Sequence, residues 1–199
     1  MTALADASMR DRLVEAASQL TCDTGWAGVT MSKVAARAGV SRQTVYNELG
    51  SKPELGQAMV LRELERFLAV VTEELEAYDD LVPAIRAAAH RILLMAHENP
   101  LLHAVLTSAH GVTSGAGGDN TDLLPFLTTD AAPLIEAAKA VIVDMVPSRF
   151  PDLGLAGHQL DAAVDAIVRL VLSHVMQPGE TPESTADDLA WIVAQVLRR

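Results

Sequence analysis

Apolar residues recur at three- and four-residue steps along most of the chain, which is the pattern of amphipathic helices. Leu13, Ala17 and Leu20 mark a first helix over about Ala7 to Thr24, and Gly25 follows it as a stop signal. An alternating strand pattern is absent throughout. The sequence therefore predicts an all-α fold.

The segment after Gly25 is divided by residues that favour helix N-termini. Thr30 and Ser41 are N-cap candidates for two short helices that break at Gly39. Ser51, with Glu54 three residues on, has the capping-box pattern for a fourth helix.

Longer helices are predicted beyond this point, with Pro147 and Pro178 as stops after two of them. Together with the first three, they bring the predicted number of helices to about nine. We expect the boundary between the two domains to lie between residues 51 and 52. These later helices are Lys52 to Tyr78, Pro83 to Glu98, Leu101 to Ala109, Asp130 to Met145, Gly157 to Met176, and a terminal helix with Thr181 as cap and Pro182 at its first position.

The segment MSKVAARAGVSRQTVYNEL has the spacing of a helix-turn-helix. Such a motif needs a small residue where the two helices cross, a glycine in the turn and apolar residues that fix the second helix. Ala35, Gly39, Val45 and Leu49 meet these requirements.

If Val45 and Leu49 face inward, the second helix presents polar side chains outward, where such helices meet base edges. Arginine pairs with guanine, and Gln or Asn with adenine. The alternative is an ordinary solvated helix face. The predicted base-reading or adjoining residues are Ser41, Arg42, Gln43, Thr44, Tyr46 and Asn47, and the predicted phosphate contacts are Thr30, Lys33 and Lys52.

The net charge of -11 argues at first against a nucleic-acid partner, but the charge is unevenly distributed. Residues 1–55 hold six basic and six acidic side chains, whereas Thr30 to Lys52 holds four basic residues and Glu48 alone. Half of the residues are apolar and 4% aromatic, which favours a core of aliphatic residues in packed helices. A basic segment on an acidic body is compatible with DNA binding.

Other classes of protein find little support. A single cysteine, Cys22, excludes a disulfide within the chain, and neither a signal sequence nor an apolar run of membrane-spanning length is present, so we expect a cytoplasmic protein. No catalytic or nucleotide-binding motif points to an enzyme or a cofactor. The glycine-rich stretch Gly111 to Asp122 is either a flexible loop or a phosphate cradle, and the lack of a preceding strand or a suitably spaced lysine favours the loop.

The N-terminal sixty residues resemble the DNA-binding domain of TetR-family transcriptional regulators. The matching features are Thr30, Ala38-Gly39-Val40, Thr44-Val45-Tyr46 and Lys52, while Leu49 replaces the family's usual Phe. The resemblance implies an effector-binding body after residue 80 and a dimer in which the last two helices of each copy form a four-helix interface. The segment SRQTVYNE is similar to that of regulators that accompany alkane hydroxylases and other lipid-oxidising enzymes.

The residues independently favour a homodimer, because the helix Gly157 to Met176 carries two apolar stripes where a monomer's core needs one. The terminal helix adds further apolar residues for a partner. One stripe is Leu160, Val164, Ile167 and Val171, the other is Val168, Leu172 and Met176, and the terminal residues are Leu189, Val193, Val196 and Trp191.

A set of mostly apolar residues in the body either lines an effector cavity or packs the core. The histidine pairs His90 and His97, and His103 and His110, are spaced too widely for a zinc site and lack partner ligands, so no metal is predicted. The candidate effector-binding residues are Ile92, Met95, Leu102, His103, Leu106, His110, Phe126, Ile135, Ile167 and Val171.

These features together predict a DNA-binding repressor that an apolar effector, such as a long-chain fatty acid or acyl ester, releases from its operator. His103 or His110 would contact the polar end of the effector. The alternative is a body that binds a protein partner, with the helix-turn-helix serving only to localise it on DNA.

Overall fold

The computed structural model describes residues 8–99, 102, 132–155, 157–179 and 181–197. Within these ranges the regular elements are eight α-helices and one 3-10 turn, which confirms the all-α prediction. Of the predicted helix over residues 101–109, all but Leu102 lies outside the described part. The elements are α1 (Met9–Thr24), the 3-10 turn (Trp26–Gly28), α2 (Met31–Ala38), α3 (Arg42–Leu49), α4 (Lys52–Ala77), α5 (Leu81–Glu98), α6 (Ala132–Arg149), α7 (His158–Met176) and α8 (Pro182–Leu197).

The predicted N-caps are present. The hydroxyl of Thr30 accepts a hydrogen bond from the backbone N–H of Lys33, and that of Ser41 accepts one from the N–H of Thr44. At the start of α4 the Ser51 N–H donates to the Glu54 carboxylate at 2.6 Å, while the Ser51 hydroxyl accepts from the Glu54 N–H. The capping box is therefore complete.

The starts of α1 and α5 differ from the prediction by two residues each. α1 starts at Met9 rather than Ala7, because Ser8 and Asp11 form a capping box there. α5 starts at Leu81 rather than Pro83, because the Asp80 side chain accepts from the Val82 N–H. In both cases an aspartate supplies a capping interaction that the prediction missed.

The prediction that Pro147 ends its helix is wrong, since α6 continues to Arg149. A proline in the last turn removes one backbone hydrogen bond and leaves the following ones intact. The Phe150 N–H donates to the Val146 carbonyl at 2.9 Å, and both side chains are buried. Packing of these two residues stabilises the last turn of α6.

The chain divides into two compact units, of which the first comprises residues 1–63 and 100–131 and the second residues 64–99 and 132–199. The core of the first unit joins α1, α2, α3 and the beginning of α4 through fully buried side chains. These include Leu13, Val34, Val45, Leu55 and Met59. The predicted domain boundary after residue 51 stays a prediction.

The second unit contains two apolar clusters. Leu75, Val146 and Leu160 belong to a cluster that joins the end of α4 with α5, α6 and α7. Ala89 of α5 and Leu189 of α8 belong to the other. Buried aliphatic side chains thus hold the helices of this unit together.

The assignment of Leu189 and Val193 to a partner-facing surface is wrong. Both side chains are buried within the chain, at 2% and 5% exposure, because α8 packs on α5 through this face. Trp191, Ile192 and Val196 remain exposed on the same helix.

Candidate nucleic-acid interface

The turn between α2 and α3 is built around Gly39. Its backbone is left-handed, with φ 71° and ψ 33°, a conformation that glycine adopts without steric cost. The N–H of Val40 donates to the Ala35 carbonyl at 3.0 Å, and Val34 and Ala35 are buried beside the turn. The predicted helix-turn-helix is therefore present.

The two faces of α3 differ as the sequence predicts. Val45 and Leu49 are buried, while Arg42, Gln43 and Asn47 are exposed. Tyr46 is also exposed, at 44%. The anchored inner face fixes which residues α3 presents to a ligand.

Two side-chain hydrogen bonds order this outer face. The Gln43 amide donates to the Asn47 side-chain oxygen, one turn away, at 2.8 Å. The Ser41 and Thr44 hydroxyls lie 2.9 Å apart, and Thr44 is half-buried. Amides and hydroxyls of this kind match the donors and acceptors on base edges in the major groove.

Both predicted phosphate-binding lysines are attached to the short turn that precedes α2. The ammonium of Lys33 donates to the Gly28 carbonyl at 2.6 Å, and that of Lys52 donates to the Trp26 carbonyl at 3.0 Å. The Lys52 ammonium also lies 4.8 Å from the centre of the Trp26 ring. Each ammonium has three donors, so both retain donors for a phosphate.

The environment of Lys52 disfavours its charge. Partial burial of the side chain, together with the positive charge of Lys33, lowers the pKa of Lys52 below its ordinary value of 10.5. A phosphate at this place would offset the repulsion between the two ammonium groups. The turn thus brings two cations together at one end of the motif.

Sequence reasoning missed three residues of this region. Trp26 is buried under Lys52, and its only sequence signal is a large apolar residue directly after a helix-ending glycine. Arg10 donates to the Glu48 carbonyl at 2.8 Å, and Arg12 donates to the Ala38 carbonyl at 3.3 Å. Neither arginine contact has a local signal, since the partners are distant in the sequence.

The candidate effector-binding residues are only partly described. Ile92, Leu102 and Ile135 are buried, whereas Met95, Ile167 and Val171 are half-buried. Val171 packs against the cluster of Ala89 and Leu189 in the second unit. Four of the candidates lie outside the described residues, namely His103, Leu106, His110 and Phe126.

The described part of the chain offers no group of three or more His, Cys, Asp or Glu side chains arranged to hold a metal ion. His90 is half-buried on α5, and His97 is exposed on the same helix. None of the described helices is long and apolar enough to cross a membrane.

Comparison with known families decides the class of the protein. The family described as bacterial regulatory proteins, tetR family, matches residues 13–59, which contain the helix-turn-helix. The family described as Bacterial Tetracyclin repressor, C-terminal domain, matches residues 80–195, more than half of the chain. The chain belongs to the TetR family. As a TetR-family protein it is a DNA-binding transcriptional regulator and not an enzyme, and regulators of this family bind operators as dimers.

Similar proteins include two named AlkX. The HTH-type transcriptional regulator AlkX of Mycobacterium tuberculosis is 35% identical over 97% of this chain and 87% of its own length. The crystal structure of the TetR-family repressor AlkX from a Dietzia species, implicated in biodegradation of n-alkanes, has 29% identity and a TM-score of 0.76, with 96% of each chain covered.

A shorter similarity links the TetR-family chain to the HTH-type transcriptional activator FasR of Mycolicibacterium smegmatis. The two are 34% identical over 40% of this chain and 36% of the relative.

Proposed function

We propose that this regulator reads its operator with α3 and holds the neighbouring phosphates with Thr30, Lys33 and Lys52. The observation that carries the proposal is the pair of faces on α3, where two buried aliphatic anchors fix one face and leave a polar face exposed. Short helices of this kind enter the major groove and meet base edges with their exposed side chains. The base-reading set is Arg42, Gln43, Tyr46 and Asn47, supported by Ser41 and Thr44.

The proposed phosphate contacts follow from where the cations lie. Lys33 and Lys52 donate to the Gly28 and Trp26 carbonyls of the same turn, and Thr30 caps the helix that follows it. The exposed N-terminus of α2 adds a partial positive charge. Contacts of this kind set the register of the motif on the duplex without distinguishing sequences.

Binding of DNA is tested on an operator selected from a random duplex library by the full-length chain. We expect Arg42→Ala to relax the preference at one base position, with a loss of about 1 to 3 kcal/mol against the selected base. Lys52→Ala should weaken operator and random DNA alike and lower the salt dependence by about one counterion. Unchanged operator affinity in both variants, measured by fluorescence anisotropy, would show that α3 is docked differently.

We further propose that the protein is a repressor released by an apolar effector such as a long-chain fatty acid or acyl ester. The AlkX proteins are similar over nearly the whole chain, and one is a repressor implicated in n-alkane biodegradation. Oxidation of an n-alkane at its end yields acyl compounds of this class. Ile92, Met95, Ile135, Ile167 and Val171 would contact the effector's hydrocarbon chain, together with Leu102, Leu106 and Phe126, and His103 or His110 its polar end.

The effector proposal is tested by titrating the protein on its labelled operator with fatty acids of increasing length. We expect DNA release that requires a long chain, and a bound lipid in native mass spectra of the purified protein. Release by neither acids nor esters, together with the absence of a bound lipid, would contradict it. That result favours the alternative in which the body binds a protein partner.

We also propose that the dimer forms through α7 and α8, within residues 52–199 as the effector-binding and dimerisation domain. Trp191 is 65% exposed, and Ile192 and Val196 are exposed beside it on α8. On α7, Val168 and Leu172 of the second predicted stripe are only half-buried in the single chain. Exposed apolar side chains grouped on one helix, as on α8, are typical of a protein interface.

A further inference from the structure

The first turn of α1 is bonded to the C-terminal ends of both helices of the motif. Arg10 donates to the carbonyl of Glu48, in the last turn of α3, and Arg12 donates to the carbonyl of Ala38, the last residue of α2. The last four carbonyls of a helix have no partner within it, and a cation there also interacts favourably with the helix dipole. The two arginines therefore donate hydrogen bonds to carbonyl groups that have no partner within their own helices.

Arg10 lies where three helices meet. Hydrogen bonds from Ser51 lower the pKa of the Glu54 carboxyl, and the positive charge of Arg10 adds to that effect, which places Arg10 near the first turn of α4. The backbone that carries Arg10 is itself fixed by the capping box of Ser8 and Asp11. Arg10 is thus fixed at its backbone by α1, and its side chain lies between α3 and α4.

Helix α1 is also attached to α4 by a second arginine. Arg62 donates to the Asp11 carbonyl at 3.4 Å and pairs with the Glu15 carboxylate at 2.9 Å. Together with the Arg10 contact, this makes α1 a connection between the last turn of α3 and the body of α4 within the first unit.

We propose that Arg10 is a positioning residue for DNA recognition, which fixes the tilt of α3 by holding its last turn and does not itself contact DNA. The inference rests on the proposed function of α3 as the base-reading helix. Val45 and Leu49 determine which face of α3 points inward, but both lie on a helix of only eight residues. A third attachment at the C-terminal end constrains the angle at which the exposed face meets the groove.

Loss of the Arg10 contact should lower operator affinity without lowering the stability of the folded protein. Arg10 is exposed, so loss of its hydrogen bond leaves both partners solvated and costs the folded state little. Hydrogen bonds to base edges weaken steeply when their distance or angle changes. A small tilt of α3 therefore lowers affinity for the operator and leaves non-specific phosphate attraction as it was.

The test compares Arg10→Ala with the unmodified full-length chain on the selected operator and on a random duplex, over a series of salt concentrations. We expect operator affinity to fall about three- to tenfold, the effect of losing one hydrogen bond to a base edge. Affinity for random DNA, the salt dependence on both duplexes and the thermal unfolding midpoint should stay unchanged.

Arg37→Ala is the matched control, since Arg37 belongs to the same unit and pairs with the Asp23 carboxylate at 2.6 Å instead of a carbonyl of α3. Its ratio of operator to random-DNA affinity should equal that of the unmodified chain. An equal loss of this ratio in Arg37→Ala would overturn the proposal, because removal of any positive charge would then explain it.

Three results for Arg10→Ala itself would overturn the inference: an unchanged affinity ratio, an equal loss on both duplexes, or a salt dependence lowered by about one counterion, as for a direct phosphate contact. Arg42→Ala, measured alongside, separates this failure from that of the proposed function. If Arg42→Ala lowers the ratio and Arg10→Ala does not, only the positioning role fails. If Arg42→Ala leaves the ratio unchanged, the assignment of α3 fails.

Discussion

Lys52 illustrates how one side chain serves both the fold and the proposed binding of DNA. Its ammonium is held by the Trp26 carbonyl and lies over the indole ring, a position that removes part of its water. Partial desolvation strengthens the attraction of the ring for the cation and at the same time disfavours the charge. The same lysine is therefore preorganised for an anion and easier to deprotonate than an exposed one.

Operator binding should show this in its pH dependence. Burial and Lys33 lower the pKa of Lys52 in the free protein, whereas a bound phosphate stabilises its charge, so binding near that pKa requires uptake of a proton. As the pH rises towards 10.5, we expect the unmodified protein to lose operator affinity at a lower pH than Lys52→Arg, whose guanidinium stays protonated. Anisotropy titrations at fixed ionic strength measure the difference.

Coincident pH profiles of the unmodified protein and Lys52→Arg would contradict the role of Lys52. The stability of the fold depends on pH in the opposite direction to operator affinity. Between the lowered pKa and 10.5 the unfolded chain binds more protons than the folded chain at this residue. Its contribution to the free energy of unfolding therefore rises with pH in that interval.

At the scale of elements, the stability of a short helix depends on the interactions at its two ends. α2 and α3 have eight residues each, too few to be stable alone, so caps and the turn between them must agree with the packing of their apolar faces. Thr30 and Ser41 cap the two N-termini, and Gly39 ends α2 in the left-handed conformation. The angle between the two helices is set at this turn.

Gly39→Ala should lower the free energy of unfolding by about 1 to 2 kcal/mol, the cost of a left-handed alanine. A Cβ atom at this position would meet nothing within 4 Å, so the loss is conformational and not steric. Urea denaturation measures it. Gly39→Asn should lose less, because asparagine tolerates the left-handed region.

Gly179→Ala provides the matched control, since that glycine has no positive φ and equal space around its Cβ position. We expect it to be neutral or slightly stabilising. A loss as large in Gly179→Ala as in Gly39→Ala would show that the conformation of the turn is not the cause.

At the scale of the whole molecule, basic and acidic residues are concentrated in different parts of the chain. The basic residues of the motif are concentrated between Thr30 and Lys52, and the excess of negative charge lies beyond residue 55. The acidic remainder limits non-specific attraction to DNA, so binding depends on the motif and on having two copies of it. Dimer formation is therefore central to operator affinity.

Trp191→Glu should shift the protein towards monomers, because it places a charge on the exposed apolar surface of α8. Sedimentation analysis over a range of concentrations measures the change, and operator affinity should fall with it. Val141→Glu on α6 is the control, since Val141 is also exposed but lies outside the proposed interface. Equal dissociation in both variants, or in neither, would contradict an interface formed by α7 and α8.

Local patterns in the sequence are enough to predict the helices, most of their ends and the inner face of α3. These features depend on interactions within four residues, such as the caps at Thr30, Ser41 and Ser51, or on the helical period that places Val45 and Leu49 on one side.

Contacts between residues that are far apart in the sequence become visible only in the folded chain. Lys52 and Trp26 are 26 residues apart, and Arg10 and Glu48 are 38 apart, so no local pattern pairs them. Packing of Phe150 lets α6 continue past Pro147, and packing of α8 on α5 buries Leu189. Each of these outcomes depends on how helices pack against one another, which the helical period of a single segment does not specify.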